Sequence, residues 1–243
     1  MPYRRLPNTD KARIRAMEAA LAKGKTTPSH QLAYSYLTSL DLQAIYPELS
    51  AANTKLNRAK ESQFSKSRSY AETYRKAKLY VSHFMQVLNF AIAREELKPE
   101  VRSYYGLKVD LKNIPTLIKE EHIFKWGRKL IDGDAKRIAA GGTPIYNPTI
   151  AMVRVYYEQF EAAYTNRKAL QKQTDDASGD MLDIRRKSDE VILRLWNETE
   201  AHFSHLPEEQ KRTEAAKYGV VYIYRPKERE RLLEQAKNET IDE

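Results

Sequence analysis

The sequence predicts an all-α fold: a four-helix bundle built from two related antiparallel helical hairpins, with an N-terminal helix, a crossing helix and a minor two-stranded β element. Three observations predict it. Apolar residues recur every three or four positions through most of the 243-residue chain, the period of amphipathic helices. A polar stretch, a strongly apolar stretch and a proline-to-glycine punctuation follow one another twice, ending at Tyr105-Gly106-Leu107 after Pro99 and at Tyr218-Gly219-Val220 after Pro207. Only Val220 to Tyr224, β-branched or aromatic throughout, breaks the helical pattern.

The elements follow in order. Thr9 is a good N-cap, and Asp10 in the first turn suits the helix dipole. Ile14, Met17 and Leu21 form the stripe of this first helix, and Gly24 supplies a stop. Pro28 can open a second helix, with Leu32, Tyr36, Leu37 and Leu40 on one side; Pro47 should kink or restart it. From Leu79 to Ile92 apolar residues cover most of the circumference, leaving Ser82, Gln86 and Asn89 as a narrow polar strip, so this should be the most enclosed helix. Pro148 opens a helix with Ile150, Val153, Tyr157, Phe160 and Tyr164 on one face. Ile184, Val191, Leu195, Thr199 and Leu206 form a later stripe, with Trp196 and Phe203 beside it.

Aligning Pro99 with Pro207 sets Ser67-Arg68 opposite Asp175-Asp176, so the polar interruptions coincide. Each could be the tip of a hairpin or the exposed middle of one helix of more than about 50 residues. The average helix is about 11–12 residues, and Gly179-Asp180 reads as a break followed by an N-cap; hairpin tips at 65–69 and 174–180 are therefore preferred. The expected organisation is one helical domain, 1–243, with pseudo-repeats at about 28–110 and 145–225. A crossing helix, 117–140, presents Ile118, Trp126, Leu130 and Ile138 and is ended by Gly141-Gly142. Leu107 to Asp110 is the expected partner for the strand at Val220, and Lys227 to Glu243 should form a short, frayed helix.

No cysteine is present, which excludes disulfides and thiolate metal sites. The N-terminus lacks the apolar run of a secretory signal, and Phe84 to Ala93 is about half a membrane span, so a soluble cytoplasmic protein is expected. The net charge of +9 concentrates at 1–25 and 55–80. Such patches attract polyanions, with Arg4, Arg5, Arg13, Arg15, Lys55, Arg58, Lys60, Lys66 and Arg68 as the candidate contacts. Tyr70, Tyr74 and Tyr80 lie among the basic residues of the first hairpin, where aromatic rings could stack on bases; core packing is the plainer reading.

Glu198, His202 and His205 share one helix face at a spacing that could suit zinc or iron, though structural sites want four ligands and Pro207 crowds the last histidine. No histidine has glutamate three residues before it, which disfavours a ferritin-like di-iron centre. Gly141-Gly142-Thr143 lacks the lysine and the strand of a phosphate loop, and there is no nucleophile elbow. No cofactor is expected and no catalytic residue can be named.

The runs Tyr3 to Asp10, Ala77 to Phe84 and Gly142 to Pro148 resemble a family of bacterial all-helical proteins to which no activity is assigned. The resemblance implies a stand-alone bacterial protein and transfers no functional residue. The function expected is a non-catalytic helical interaction or scaffold protein, with a protein partner or self-association. A nucleic-acid-binding protein is the alternative and a metal-binding bundle the third.

Overall fold

A computed structural model describes residues 2–110, 113–225 and 228. The fold is all-α with a minor ribbon, as the sequence predicts. The order is β1 (Tyr3–Arg4), α1 (Asp10–Thr26), α2 (Tyr36–Ala93), α3 (Glu120–Ala139), α4 (Ile150–His202), α5 (Glu208–Ala216) and β2 (Tyr222–Ile223). Short 3-10 turns lie at Ser29–Gln31 and Pro99–Tyr105. None of the described helices is long and apolar enough to cross a membrane. The helix expected at 227–243 lies outside the described residues, Glu228 excepted.

Residues 65–69 and 174–180 are not hairpin tips. They lie inside α2, 58 residues long, and α4, 53 residues long. Two physical reasons override the sequence signal. Serine and threonine hydroxyls here bond back to helix carbonyls, Ser65 to Ser62 at 3.0 Å and Thr174 to Leu170 at 3.0 Å, so they do not divert the backbone. Gly179 is flanked by the buried Ala177 and Met181, whose packing offsets the roughly 1 kcal/mol that glycine costs a helix. Asp180 does not cap; it pairs with Lys55 at 2.7 Å. Pro47 likewise sits within α2 rather than restarting it.

The chain forms two compact units. Unit 1 comprises residues 1–58 and 175–243, and unit 2 comprises 59–174. Each expected repeat, 28–110 and 145–225, is shared between both units.

In unit 1, α1 begins at the expected cap, with the Ala12 N–H donating to Thr9 Oγ1 at 3.2 Å. The helix runs past Gly24 to Thr26. Pro28 opens only the 3-10 turn, and α2 starts at Tyr36. Within this unit α2 and α4 run antiparallel, for Thr38 meets Glu198 and Lys55 meets Asp180. Met17, Leu42, Leu49, Met181, Leu195 and Trp196 fill the centre. Ion pairs tie α1 to α4. Arg185 grips Asp10 through two hydrogen bonds of 2.7 Å, and Arg13 grips Asp189 at 2.7 and 2.9 Å. The strand after Val220 pairs with β1, not with Leu107 to Asp110: Tyr3 lies opposite Ile223 and Arg4 opposite Tyr222, antiparallel. A two-residue strand at the N-terminus carries no alternation, so the sequence offered no sign of it.

In unit 2, the core joins Phe84, Met85 and Leu88 of α2 to Ile123 and Leu130 of α3 and to Val153 and Phe160 of α4. The helix over 79–92 is not enclosed all round, because Leu79 and Phe90 are exposed. The crossing helix starts at Glu120 rather than Leu117, and Ile118 before it faces solvent. Two glycines let α3 approach its neighbours. A Cβ on Gly127 would lie 2.3 Å from the Tyr157 ring, and one on Gly133 would lie 2.5 Å from the Tyr104 carbonyl oxygen. Arg102 is buried without a carboxylate partner among the described residues. It donates to Asn89, to the Lys108 carbonyl at 2.8 Å and to the Asn113 carbonyl at 3.3 Å, and so pins the chain after the 3-10 turn.

The repeated punctuation has one local geometry. Gly106 and Gly219 adopt φ of 67° and 88°, the left-handed region. The Leu107 N–H donates to the Arg102 carbonyl, and the Val220 N–H donates to that of Ala215, the same six-residue closure. Tyr105 and Tyr218 before these glycines are both buried. The flanks differ: a 3-10 turn precedes Gly106, whereas α5 precedes Gly219 and β2 follows it.

Candidate interaction surface

Thr38, Leu42, Ile45 and Leu49 direct α2 inward in unit 1. Leu42 and Leu49 are fully buried and Ile45 partly so. On the other side of the same helix Leu37, Leu40, Ala44, Pro47 and Ala51 are all exposed. Their spacing alternates three and four residues, the pattern of a coiled-coil seam. Tyr36 and Leu37 are 76% and 59% exposed, so the apolar side that the sequence shows at Tyr36, Leu37 and Leu40 points outward. The helix carries two apolar stripes, and periodicity alone does not say which one is buried.

Glu198 fixes the end of this surface. It accepts from the Ser35 N–H at 2.8 Å, from Ser35 Oγ at 3.0 Å and from Thr38 Oγ1 at 3.0 Å. Ser35 Oγ in turn accepts from the Thr38 N–H at 3.3 Å, capping α2. The carboxylate lies beside the first turn, where the helix dipole favours it. From Gln31 to Thr54 there is no lysine or arginine, and the acidic residues are Asp41 and Glu48. Asp41 is paired with Arg194, which also donates to Thr38 Oγ1 at 3.1 Å. The stripe itself offers no ionisable group. Its chemistry is removal of apolar surface from water.

The structure does not gather the metal candidates. Glu198 is occupied by Ser35 and Thr38; the His202 ring meets the edge of Phe203; and His205 Nδ1 lies 3.1 Å from the His202 carbonyl oxygen, to which it donates. Among the described residues, no group of three or more histidine, aspartate and glutamate side chains could hold a metal ion.

The basic candidates divide. Arg4 pairs with Glu200 and bonds Asn197, both at 2.8 Å; Arg13 pairs with Asp189; and Lys55 pairs with Asp180, a bond that raises its pKa. Arg58, Lys60, Lys66 and Arg68 stay exposed on α2, and Arg5 and Arg15 are exposed at the N-terminal end of unit 1. The tyrosines among them are engaged. The Tyr70 hydroxyl donates to Glu120, that of Tyr74 donates to the Ile118 carbonyl at 2.8 Å, and Tyr80 stacks on Tyr156 with centroids 4.0 Å apart. Burial, then the bond to Glu120, pushes the Tyr70 phenol well above its ordinary value. Burial pushes Glu120 upward in turn, but the bonds from Tyr70 and from Arg167 at 2.6 Å outweigh it and hold the carboxyl below its usual range. The Arg167 guanidinium lies 4.5 Å over the Tyr70 ring.

The chain matches no family model, no curated protein and no solved structure.

Proposed function

We propose that this is a non-catalytic helical interaction protein that associates weakly with a second copy of itself through the outer stripe of α2. The exposed three-four spacing of Leu37, Leu40, Ala44, Pro47 and Ala51 carries the reading. Charge supports a second copy as the occupant. In a two-fold interface the same patch meets itself, residue i against j and j against i, so a patch of one charge sign repels itself. Residues 31–54 carry no cation in a chain of net charge +9, and Arg194 neutralises Asp41. Ala44 and Ala51 allow two helices to approach closely. Five seam residues fall well short of the roughly 20–30 a side of a stable interface, so the complex is weak and reversible.

Sedimentation equilibrium tests this reading. A concentration-dependent dimer should form and should be lost in the double variant L37E/L40E. Because both side chains face solvent, that variant keeps the helical circular dichroism of the parent. A parent that stays monomeric at high concentration, or a dimer indifferent to L37E/L40E, refutes the reading.

A second reading rests on Arg58, Lys60, Lys66 and Arg68, which are exposed and make no ion pair among the described residues. Their exposure lets these cations meet phosphates, making the protein a nucleic-acid binder. Binding to single-stranded and duplex DNA or RNA would then weaken linearly in log salt, and undetectable binding at low salt would dismiss it.

A further inference from the structure

In unit 1 the chain before α1, the start of α1, Trp196 of α4 and the stretch from Ala216 to Ile223 line an open cavity of about 480 Å³. That is within the range of roughly 300–1,000 Å³ typical of small-molecule sites. Leu6, Pro7, Ala16, Val220 and Ile223 give it apolar walls. Its floor against α1 is fixed by Gly219. A Cβ there would lie 2.5 Å from the Ala16 carbonyl oxygen, and the φ of 88° suits glycine alone.

Two features of this lining have no structural use. Arg5 and Arg15 both line the cavity, both are exposed, and neither makes an ion pair among the described residues, whereas Arg4 and Arg13 beside them in sequence are paired. Trp196 is wholly buried in the wall, yet its indole N–H has no hydrogen-bond partner. Unpaired guanidinium groups beside an apolar wall recognise an anion carried on an apolar body, because they offer fork-shaped donors for its oxygens while the wall removes its tail from water.

We propose that this cavity binds a small amphiphilic anion, its single apolar tail lying against Leu6, Pro7 and Ile223 close to Trp196 and its acidic head held by Arg5 and Arg15. A carboxylate and a sulfate or phosphate monoester share this chemistry. The site is separate from the outer stripe of α2, so either proposal can fail without the other.

The chain has two tryptophans, so the variant W126F leaves Trp196 as the sole indole fluorophore. This full-length protein is titrated, with excitation selective for tryptophan, with decanoate, decyl sulfate and decyltrimethylammonium, each below its micelle-forming concentration. Decanoate or decyl sulfate should change the Trp196 emission saturably and raise the melting temperature, with the cationic amphiphile at least tenfold weaker. Adding R5Q/R15Q should weaken the anion at least tenfold; neither guanidinium holds another residue among the described ones, so folding is retained. Which of the two anions binds more tightly identifies the head group. Absence of a saturable change with both anions overturns the proposal. So does equal binding of the cation, or an R5Q/R15Q protein that keeps the parent affinity.

Discussion

Asp134 shows how much one side chain of α3 carries. Its Oδ1 accepts from the Tyr105 hydroxyl at 2.7 Å and from Arg137 Nη2 at 2.8 Å, while Arg137 also donates from Nε to the same hydroxyl at 2.7 Å. A third Arg137 donor reaches the Thr143 carbonyl at 2.6 Å, so one buried triad joins the 3-10 turn, α3 and the loop after it. Burial, then the bond to Asp134, raises the Tyr105 phenol far above its ordinary value and keeps it a donor. Asp134 and Arg137 are 3% and 2% exposed, so deleting the carboxylate strands a cation in the core. Asp134→Ala should cost about 3–5 kcal/mol, the loss usual when one partner of a buried pair is removed. Asp180→Ala breaks an equally short pair with Lys55 in the open and should cost less than about 1 kcal/mol. Urea denaturation of both variants checks the contrast, and equal losses would mean that burial does not govern these pairs.

At the scale of the element, glycine separates what a helix prefers from what its packing requires. Gly127 and Gly179 are both inside helices, where alanine is intrinsically better by about 1 kcal/mol. A Cβ at Gly127 would drive into the buried Tyr157 ring, whereas nothing lies within 4 Å of one at Gly179. Gly127→Ala should therefore destabilise by about 1–3 kcal/mol, as overpacking does, and Gly179→Ala should stabilise by about 0.5–1 kcal/mol. Thermal melts of the two variants should move in opposite directions. The same distinction explains what the sequence could tell. Thr9, Gly106 and Gly219 were legible because each acts within its own turn. Gly179 and the serines at 65–69 were misread because only neighbours distant in sequence decide whether a weak break becomes a turn. The outer stripe was half legible: Tyr36, Leu37 and Leu40 stood out as an apolar face, but nothing local said that Thr38, Leu42 and Leu49 would take the interior. The unpaired arginines and the stranded Trp196 donor were not legible at all, since a missing partner is a property of the fold.

For the molecule as a whole, charge sets the two functional readings against each other. Two copies at +9 repel at long range, and the stripe of α2 draws them together only at contact. Salt shortens the repulsion, from a Debye length of about 30 Å at 0.01 M to about 10 Å at 0.1 M, and leaves the burial of Leu37 and Leu40 untouched. Self-association should therefore strengthen as salt rises from 0.01 to 0.3 M. Binding to nucleic acid should run the other way, because each phosphate neutralised releases a counterion and dilute salt favours that release. Four cations, Arg58, Lys60, Lys66 and Arg68, would give a slope of about −3 to −4 in log affinity against log salt on duplex DNA. One salt series followed by sedimentation, with and without a short duplex, measures both signs on the same sample. A dimer that dissolves as salt rises would show that ion pairs, not the stripe, hold the copies together.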